Sequence, residues 1–543
     1  MPKTLTMIDP RPNGSGGQYE RGQTYTLADD LADYFLSIGV ARYPTLQQTH
    51  VLADRDPATG EVSTIGTGRD TLGTPVLAVT SPGGVVRNSL GELVWRPGWN
   101  QLVHTMPTRI CGPYDRSGTA TYSAIVTPSG GAVVADLEKI CPISGLPMAK
   151  VTIPAGTSGS GTSQQIRFWD IASPPEMDAD TVLMLPVRFP HRFEDVYLQI
   201  LVSAGPDIGL PTPWRQITLD RAEIPGGMFV ITLLQGEVKV TAGQTVIGTT
   251  EYDHTWTEQA GTSPDNPIRS VTIRAYATSA KAQNFDFHVG HLHYARKKWA
   301  TGAVIWSADD IPLSIRDRMI PVLEDYGFRF TGNVVPSYAG DFSERMSHAD
   351  ILAGLKKGWE IWGHGWKHEN FDSVTESERV RALTAARDYW SRRGVPTAAA
   401  LMAYPFGDYN VDVIQSARDL GYRLARITSR GLTLNPVAPA CSPYALPAYS
   451  PEGKTKHQVL SMINRCRKAG TAIMTYTHNC DAGGADTESA PAGGVSFYED
   501  HLRAWCEFTA NGIAAGELID VTATEYFRAC GIDPLMHTMP TDI

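Results

Sequence analysis

Residues 358–370, GWEIWGHGWKHEN, decide the fold of the C-terminal part of this chain. The run EIWGHG has the length and apolar content of a buried strand, and the ligand-type side chains His364 and His368 follow at its end. Such residues directly after a buried strand are typical of the mouth of a parallel α/β barrel, where strands end and βα loops begin. We therefore expect an α/β domain around this segment.

Outward from this segment, strand-length apolar runs alternate with helical segments over residues 299–543. The predicted strands are GAVIWS, RFTGNVV, EIWGHG, LMAYPFG, YRLARIT, TAIMTYT and ELIDV. One intervening helix has a predicted capping box formed by Thr375 and Glu378, and a predicted stop at Gly394. Repeated strand–helix alternation predicts a parallel sheet that closes, or nearly closes, into a distorted (β/α) barrel.

The residues before this domain predict a multidomain chain with a β-rich N-terminal region. Residues 1–57 are expected to be an anchoring or docking segment with one amphipathic helix within residues 25–43. Residues 58–134 are rich in Gly, Thr and Ser and predict short strands and loops. Residues 135–298 contain alternating β-branched and aromatic segments, which favour an antiparallel β-sandwich or jelly roll of the carbohydrate-binding kind.

Composition excludes several classes of protein. The 543 residues are 42% hydrophobic and 19% charged, with a formal net charge of -10, so a broad basic surface for nucleic acid is not expected. No apolar run reaches the length of a membrane span, and the N-terminus lacks the apolar region of a secretory signal, which predicts synthesis in the cytoplasm. Seven cysteines without a CxxC pair argue against a disulfide framework and a cysteine zinc site.

Chemistry-bearing side chains recur at the predicted strand ends. They are Asp309 and Asp310, then His364 and His368, then residues 404–407 (YPFG), and finally His478. Two histidines and one carboxylate with an open position are a common catalytic zinc set. A second carboxylate could act as general base and a histidine from the opposite side could protonate a leaving group. Taken singly, the Asp pair is more typical of a turn and a strand-end histidine of a structural residue.

The strings SADD, HGWKH and AYPFG, together with the late His478, resemble the motifs of polysaccharide deacetylases, the NodB-homology domains of carbohydrate esterase family four. The resemblance extends over roughly residues 301–531. It implies a metal-dependent hydrolase that removes N- or O-acetyl groups from an acetylated polysaccharide. The implied cofactor is a divalent metal, with Zn²⁺ expected first and Co²⁺, Ni²⁺, Mn²⁺ or Fe²⁺ compatible with similar ligands.

The resemblance also assigns roles to individual residues. It implies Asp309 as general base, His478 as general acid, and the backbone N–H of Phe406 as a donor to the oxyanion. The implied metal ligands are Asp310, His364 and His368. Supporting positions at the substrate site are Tyr404, Pro405 and Arg426.

The sequence departs from the family pattern at three points. Gly365 stands where Ser or Thr is usual, and Ala403 stands where many members carry an arginine that pairs with the base. We expect Arg426, at the end of the following strand, to supply that charge. The family's tryptophan-bearing fourth motif has no evident counterpart.

Two further groups of residues have competing interpretations. His288, His291 and His293 could form a second metal cluster, but with no evident carboxylate partner a packed strand is the favoured interpretation. Three tryptophans of the predicted sandwich could stack on sugar rings, although aromatic residues there are more often core. They are Trp169, Trp214 and Trp256.

The domain order resembles that of a bacteriophage tail spike or fibre. That resemblance implies a homotrimer attached to the virion through its N-terminal region and acting on the capsule at the outer surface of a bacterial cell. The alternative function is a glycan-binding adhesin with an inactive deacetylase-like barrel. A third is a cytosolic enzyme for small acetylated molecules, against which the large β-rich half argues.

Overall fold

The computed structural model describes most of residues 100–535, with gaps in the loops of residues 116–282 and at 340–343, 430–431, 440–441, 484–488 and 492–493. Before residue 100 it describes only the backbone of short strands. They are β1 Lys3–Met7, β2 Arg11–Pro12, β3 Gln18–Tyr19, β4 Thr24–Leu27, β5 Ala41–Arg42, β6 Asp54–Arg55, β7 Val62–Ser63, β8 Gly66–Arg69, β9 Pro75–Ala78, β10 Val86–Arg87 and β11 Leu93–Val94.

Two short strands flank the stretch for which a helix with a stop at Gly39 is predicted. β4 pairs with β1 in an antiparallel ladder, and β5 pairs with the other edge of β1. The threonines and tyrosine of β4 favour a strand because β-branched and aromatic side chains suit a pleated sheet. Residues 28–40, the middle of the predicted helix, lie outside the described residues.

Two seven-stranded sheets follow, and all but one of their pairings are antiparallel. Their strands are β12 Thr108–Cys111, β13 Ala124–Val126, β14 Ala132–Ile140, β15 Pro147–Ile153, β16 Gln164–Phe168, β17 Thr181–Phe189, β18 Val196–Ser203, β19 Arg215–Leu219, β20 Gly227–Leu234, β21 Val238–Lys239, β22 Trp256–Glu258, β23 Ser270–Ala277, β24 Phe285–Val289 and β25 Leu292–Arg296. One sheet has the order β12-β25-β17-β24-β15-β14, with β20 also paired to β17, and the other has the order β13-β16-β23-β18-β19-β22-β21. The predicted antiparallel, β-rich character of this region is confirmed.

Side chains of both sheets share one hydrophobic cluster. Val151 of β15, Ile200 of β18 and Ile273 of β23 are among its buried members. β24 and β25 are separated at Gly290, whose N–H donates to Pro186 O at 2.8 Å. A Cβ at Gly290 would lie 3.2 Å from that oxygen, so the close backbone approach favours glycine.

Ten strands belong to the C-terminal part. They are β26 Gly302–Ile305, β27 Ser307–Asp309, β28 Thr331–Val334, β29 Glu360–Gly363, β30 Leu401–Ala403, β31 Leu424–Arg426, β32 Ala472–Met474, β33 Cys480–Asp481, β34 Phe497–Tyr498 and β35 Leu518–Asp520. The helices are α1 Ile320–Asp325, α2 His348–Lys356, α3 Glu376–Arg392, α4 Pro396–Ala400, α5 Val411–Asp419, α6 Lys456–Ala469, α7 Glu499–Ala514 and α8 Ala523–Ala529. A π-helical turn, Ile315–Met319, precedes α1, and a 3-10 turn, Pro405–Gly407, follows β30.

The parallel strands bring their carboxyl ends to one side. One sheet has the order β27-β28-β29-β30-β31 and another has the order β32-β26-β35, while the chain runs directly from β26 into β27. Parallel bridges between Arg426 and Leu446 and between Tyr449 and Thr475 connect the β31 side to the β32 side. The side chains that follow these strands can therefore meet at one mouth.

Capping chemistry fixes where several of these helices begin. Thr375 and Glu378 form the predicted capping box of α3, and Gly394 adopts φ 69° after its end. The same reciprocal arrangement begins α2, α6 and α8. Among the residues that the structure describes, no helix combines the length and apolar content that a bilayer-spanning helix needs.

The antiparallel sheets pack directly against the parallel region. Trp299 is buried, and its Nε1–H donates to Ala469 O of α6 at 2.8 Å. Asn435 Nδ2 donates to Thr232 Oγ1 of β20 at 3.1 Å. A hydrophobic cluster that includes Trp299 also contains Val230 of β20, so the two regions share packed core.

Candidate metal centre and active site

Three predicted ligands converge at the mouth. One ligand atom from each of Asp310, His364 and His368 lies within 4.8 Å of the others. The Nε2 atoms of the two histidines each lie 3.9 Å from Asp310 Oδ1. These residues come from the ends of β27 and β29, so the parallel topology brings together groups more than 50 positions apart in sequence.

A hydrogen bond orients the ring of His364 toward this point. His364 Nδ1 lies 2.9 Å from Ala403 O, and because a carbonyl only accepts, Nδ1 carries the proton and Nε2 is left with its lone pair. Burial and the neighbouring His364 lower the pKa of His368 to about 4, so this ring is neutral at pH 7. Neutral imidazoles are the form that binds metals.

Two buried atoms at this point have no hydrogen-bond partner. They are Asp310 Oδ1 and His364 Nε2. Leaving buried polar atoms unpaired costs free energy, about 1–3 kcal/mol each and more for a charged group. A divalent cation between these atoms would satisfy both, and two histidines with one carboxylate match a catalytic zinc set. The residues present therefore fit a metal ion.

Backbone strain is concentrated at the same place. Among described residues, the non-glycine positions with positive φ are Lys298 and four that belong to or adjoin the mouth: Asp310 at 57°, Ile311 at 40°, His368 at 59° and Phe406 at 61°. The left-handed region is unfavourable for such residues and is retained where surrounding structure enforces it. The packing thus fixes the directions of two candidate ligands.

Asp309 lies beside the three ligands and is tightly held. Its Oδ2 accepts from Arg426 Nη2 at 2.6 Å and its Oδ1 accepts from Asn333 Nδ2 at 2.8 Å. Burial alone would raise the pKa of this carboxyl, but the charge of Arg426, together with the neighbouring His364 and His478, outweighs it and lowers the pKa to about 2. Asp309 is therefore a carboxylate throughout the neutral range.

The structure places Arg426 where the sequence predicts a charge partner. The side chain is 1% exposed, and its guanidinium also stands 5.0 Å from the ring centroid of Tyr476. β31 runs beside β30, so a side chain at the end of β31 can reach the position that Ala403 at the end of β30 leaves empty.

The turn after β30 presents one aromatic side chain to solvent. Phe406 is 59% exposed, and its ring centroid lies 4.4 Å from that of His368. Pro405 and Tyr404 are buried, and Tyr404 stacks on Tyr409 with centroids 5.6 Å apart. Tyr404 is therefore a buried residue that supports the turn.

The local backbone conformation explains why glycine stands at position 365, where the family usually has Ser or Thr. Gly365 adopts φ 72°, where a side chain is disfavoured. A Cβ at this position would stand 3.1 Å from Pro405 Cγ and 3.3 Å from Glu369 Oε2. Gly365 thus allows the loop that carries His368 to pack against the turn of Phe406.

His478 is paired with a residue that sequence reasoning missed. Its Nδ1 lies 3.1 Å from Glu452 Oε2, and Glu452 Oε1 accepts from the backbone N–H of His478 and from Thr477 Oγ1. Burial alone would lower the pKa of His478, but the hydrogen bond to Glu452 and the charges of Asp309 and Glu452 raise it to about 9. Glu452 lies in a loop without a motif, so no local signal marks it.

The second histidine group is not a cluster of metal ligands among the described residues. His288 Nε2 lies 2.8 Å from Asp136 Oδ2, a carboxylate partner that the sequence did not reveal. His291 uses both ring nitrogens, with Tyr114 O at 2.8 Å and Ser144 Oγ at 3.1 Å. The side chains of the predicted sugar-stacking residues are outside the described part of the chain. They are Trp169, Trp214 and Trp256.

The sequence comparison agrees with this geometry. Residues 297–425 match the family model described as polysaccharide deacetylase. This segment is a polysaccharide deacetylase domain. The chain accordingly carries a deacetylase, which is a hydrolase. The matched segment contains Asp309 and the three candidate ligands. It ends before Arg426, Glu452 and His478. Among curated protein sequences, none matches this chain at a significant level.

Several solved structures are similar to part of this chain. A deacetylase from Streptococcus pyogenes, in complex with acetate, is 20% identical; the alignment covers 26% of this chain and 62% of that one, with a TM-score of 0.24. A family 4 carbohydrate esterase from Streptomyces lividans is 13% identical, with 44% and 97% covered and a TM-score of 0.27. A family 4 acetyl xylan esterase from Clostridium thermocellum, in complex with a cobalt ion, is 14% identical, with 44% and 98% covered and a TM-score of 0.29.

Proposed function

We propose that this protein removes acetyl groups from a bacterial surface polysaccharide in a metal-dependent hydrolysis. The observation that carries the proposal is the convergence of Asp310, His364 and His368, with unpaired ligand atoms, beside the ionised Asp309. A divalent cation there, with Zn²⁺ favoured by the ligand set, would supply Lewis-acid activation of the acetyl carbonyl and of water.

The attack on the acetyl carbon is assisted by two groups of the chain. Asp309 takes a proton from the attacking water as the new C–O bond forms. Arg426 and Asn333 hold the carboxylate in place through one oxygen each. The backbone N–H of Phe406, next to His368 at the mouth, donates to the developing oxyanion.

Departure of the glycan is assisted by His478. With its pKa raised to about 9, this side chain is protonated at neutral pH and 37% exposed, so it can reach a substrate. It donates its proton to the leaving nitrogen or oxygen as the C–N or C–O bond breaks, and acetate is released. Asp309 and the newly formed acetic acid each lose a proton to solvent and His478 takes one up, so the carboxylate and the imidazolium are both restored.

Removing one ligand tests this proposal. His364→Ala should lower acetate release from host capsule or acetylated glycan by more than about 100-fold, since losing even an outer partner of a ligand costs roughly 10- to 100-fold. It should also abolish the binding of one divalent metal per chain. His457→Ala, on exposed α6 surface, is the matched control. Full acetate release from His364→Ala, or from the wild-type chain in excess chelator, would refute the metal-dependent mechanism.

We also propose that the enzyme is the C-terminal part of a phage tail spike or fibre. The N-terminal region would attach to the virion, and the antiparallel sheets would form a sandwich that presents the enzyme or binds glycan. The support is the large antiparallel β region ahead of the deacetylase domain, which hydrolysis alone does not require. The expected outcome is a homotrimer by light scattering and detection of the chain in purified virions by mass spectrometry. A stable monomer absent from virions would contradict the proposal.

A further inference from the structure

A guanidinium stands on the far side of the candidate ligand Asp310. Arg345 Nη2 lies 3.7 Å from Asp310 Oδ2. The two candidate histidine ligands instead face Oδ1 of the same carboxylate. The two oxygens of Asp310 therefore have different neighbours, imidazoles on one side and a cation on the other.

Backbone pairing holds Arg345 in this position. The segment directly after Asp310 runs antiparallel to the one that contains Arg345, with a bridge between Pro312 and Arg345. Met346 N–H donates to Ile311 O at 3.0 Å beside this bridge. The backbone of Arg345 is thus paired with Pro312, two residues after Asp310, whose carboxylate its guanidinium faces.

The surroundings strengthen the pair. The Arg345 guanidinium lies 5.6 Å from the ring centroid of Tyr338, and the side chains of Arg345 and Asp310 are 27% and 11% exposed. Within the described part of the chain, Arg345 is the one lysine or arginine with a nitrogen within 4.0 Å of the Asp310 carboxylate. Partial exclusion of water makes such a pair stronger than a fully exposed one.

We infer that Arg345 is a positioning residue that holds Asp310 Oδ2 away from the cation so that Oδ1 alone binds it. This inference rests on the proposed metal-dependent function. A carboxylate that binds through one oxygen leaves ligand positions free for water and the acetyl oxygen, which hydrolysis requires. Partners that orient a ligand from outside the coordination sphere typically contribute roughly 10- to 100-fold to metal affinity or activity.

The test uses Zn²⁺ alone, measured on the full chain by competition with a chromogenic chelator. Arg345→Ala should keep zinc bound but lower kcat/KM for acetate release by the zinc-loaded chain roughly 10- to 100-fold, because the second carboxylate oxygen then takes a position that water or the acetyl oxygen needs; Arg345→Lys, which keeps the charge, should recover part of the loss. Arg392→Ala is the matched control because its 3.9 Å ion pair with Asp388 lies within α3; it should bind zinc as the wild type does. Arg345→Gln replaces the alanine variant if that variant does not fold.

A spectroscopic measurement reports the geometry directly. In Arg345→Ala loaded with Co²⁺, the freed carboxylate should bind through both oxygens, and the higher coordination number should weaken the visible absorption relative to the wild type. Unchanged acetate release by zinc-loaded Arg345→Ala together with an unchanged cobalt spectrum would overturn the role of Arg345. A wild-type chain that binds neither metal would instead overturn the proposed metal site, so the two failures are distinguishable.

Discussion

Glu452 illustrates how a single side chain sets the chemistry of its neighbour. One of its carboxylate oxygens faces His478 Nδ1, and the other accepts from the backbone N–H of His478. The first contact favours the imidazolium and the second fixes the loop that carries the ring. The carboxylate therefore both orients the candidate acid and keeps it protonated at neutral pH.

The pH dependence of acetate release follows from this pair. A group with a pKa of about 9 is protonated below that pH and loses its proton above it, so the alkaline limb of kcat/KM should lie near pH 9. In Glu452→Gln the carboxylate charge is gone while burial remains, and the limb should move down by about 1–3 pH units. Glu452→Asp, which keeps the charge, should shift the limb less. An alkaline limb that stays in place in Glu452→Gln would show that His478 does not act as the acid.

At the scale of elements, the residue pattern predicted most of the parallel region. The predicted strand EIWGHG contains β29, because a continuous apolar run bounded by turns leaves few other solutions. The capping box at Thr375 fixed the start of α3. Placing the ligands at strand ends then followed from the parallel topology alone.

The features that the sequence did not predict are either very short helices or depend on contacts between residues far apart in the chain. α4 and α8 are too short, at five and seven residues, to show a helical period. Glu452 reaches the mouth only because the segment near Tyr449 bridges to Thr475 beside β32, a pairing that no local pattern encodes. The break at Gly290 likewise reflects a contact with a neighbouring strand.

At the scale of the molecule, packing joins the antiparallel β-rich region to the parallel C-terminal region. The carbonyl of Trp299 accepts from His104 N–H at 2.7 Å, while its indole N–H binds Ala469 O of α6. The indole ring belongs to a cluster that also contains Val182 of β17. Unfolding of either region would expose this ring, so we expect the two regions to unfold together.

Substitution of Trp299 tests this coupling. Trp299→Ala should lower the free energy of unfolding by about 3–5 kcal/mol, as expected for loss of a large buried aromatic side chain. Trp299→Phe retains a ring and should lose about 1–2 kcal/mol, mainly the hydrogen bond to Ala469 O. Urea unfolding of the wild type, followed by circular dichroism and by acetate release, should give coincident transitions. Separate transitions would mean that the regions are independent.

The candidate catalytic and metal-binding residues fall into two consecutive segments of the chain. The candidate metal ligands, the proposed base Asp309 and the proposed oxyanion donor Phe406 all lie within residues 297–425. Arg426, Glu452 and the proposed acid His478 come from residue 426 onward. A substitution at Glu452 or His478 can therefore alter proton donation without replacing a candidate metal ligand.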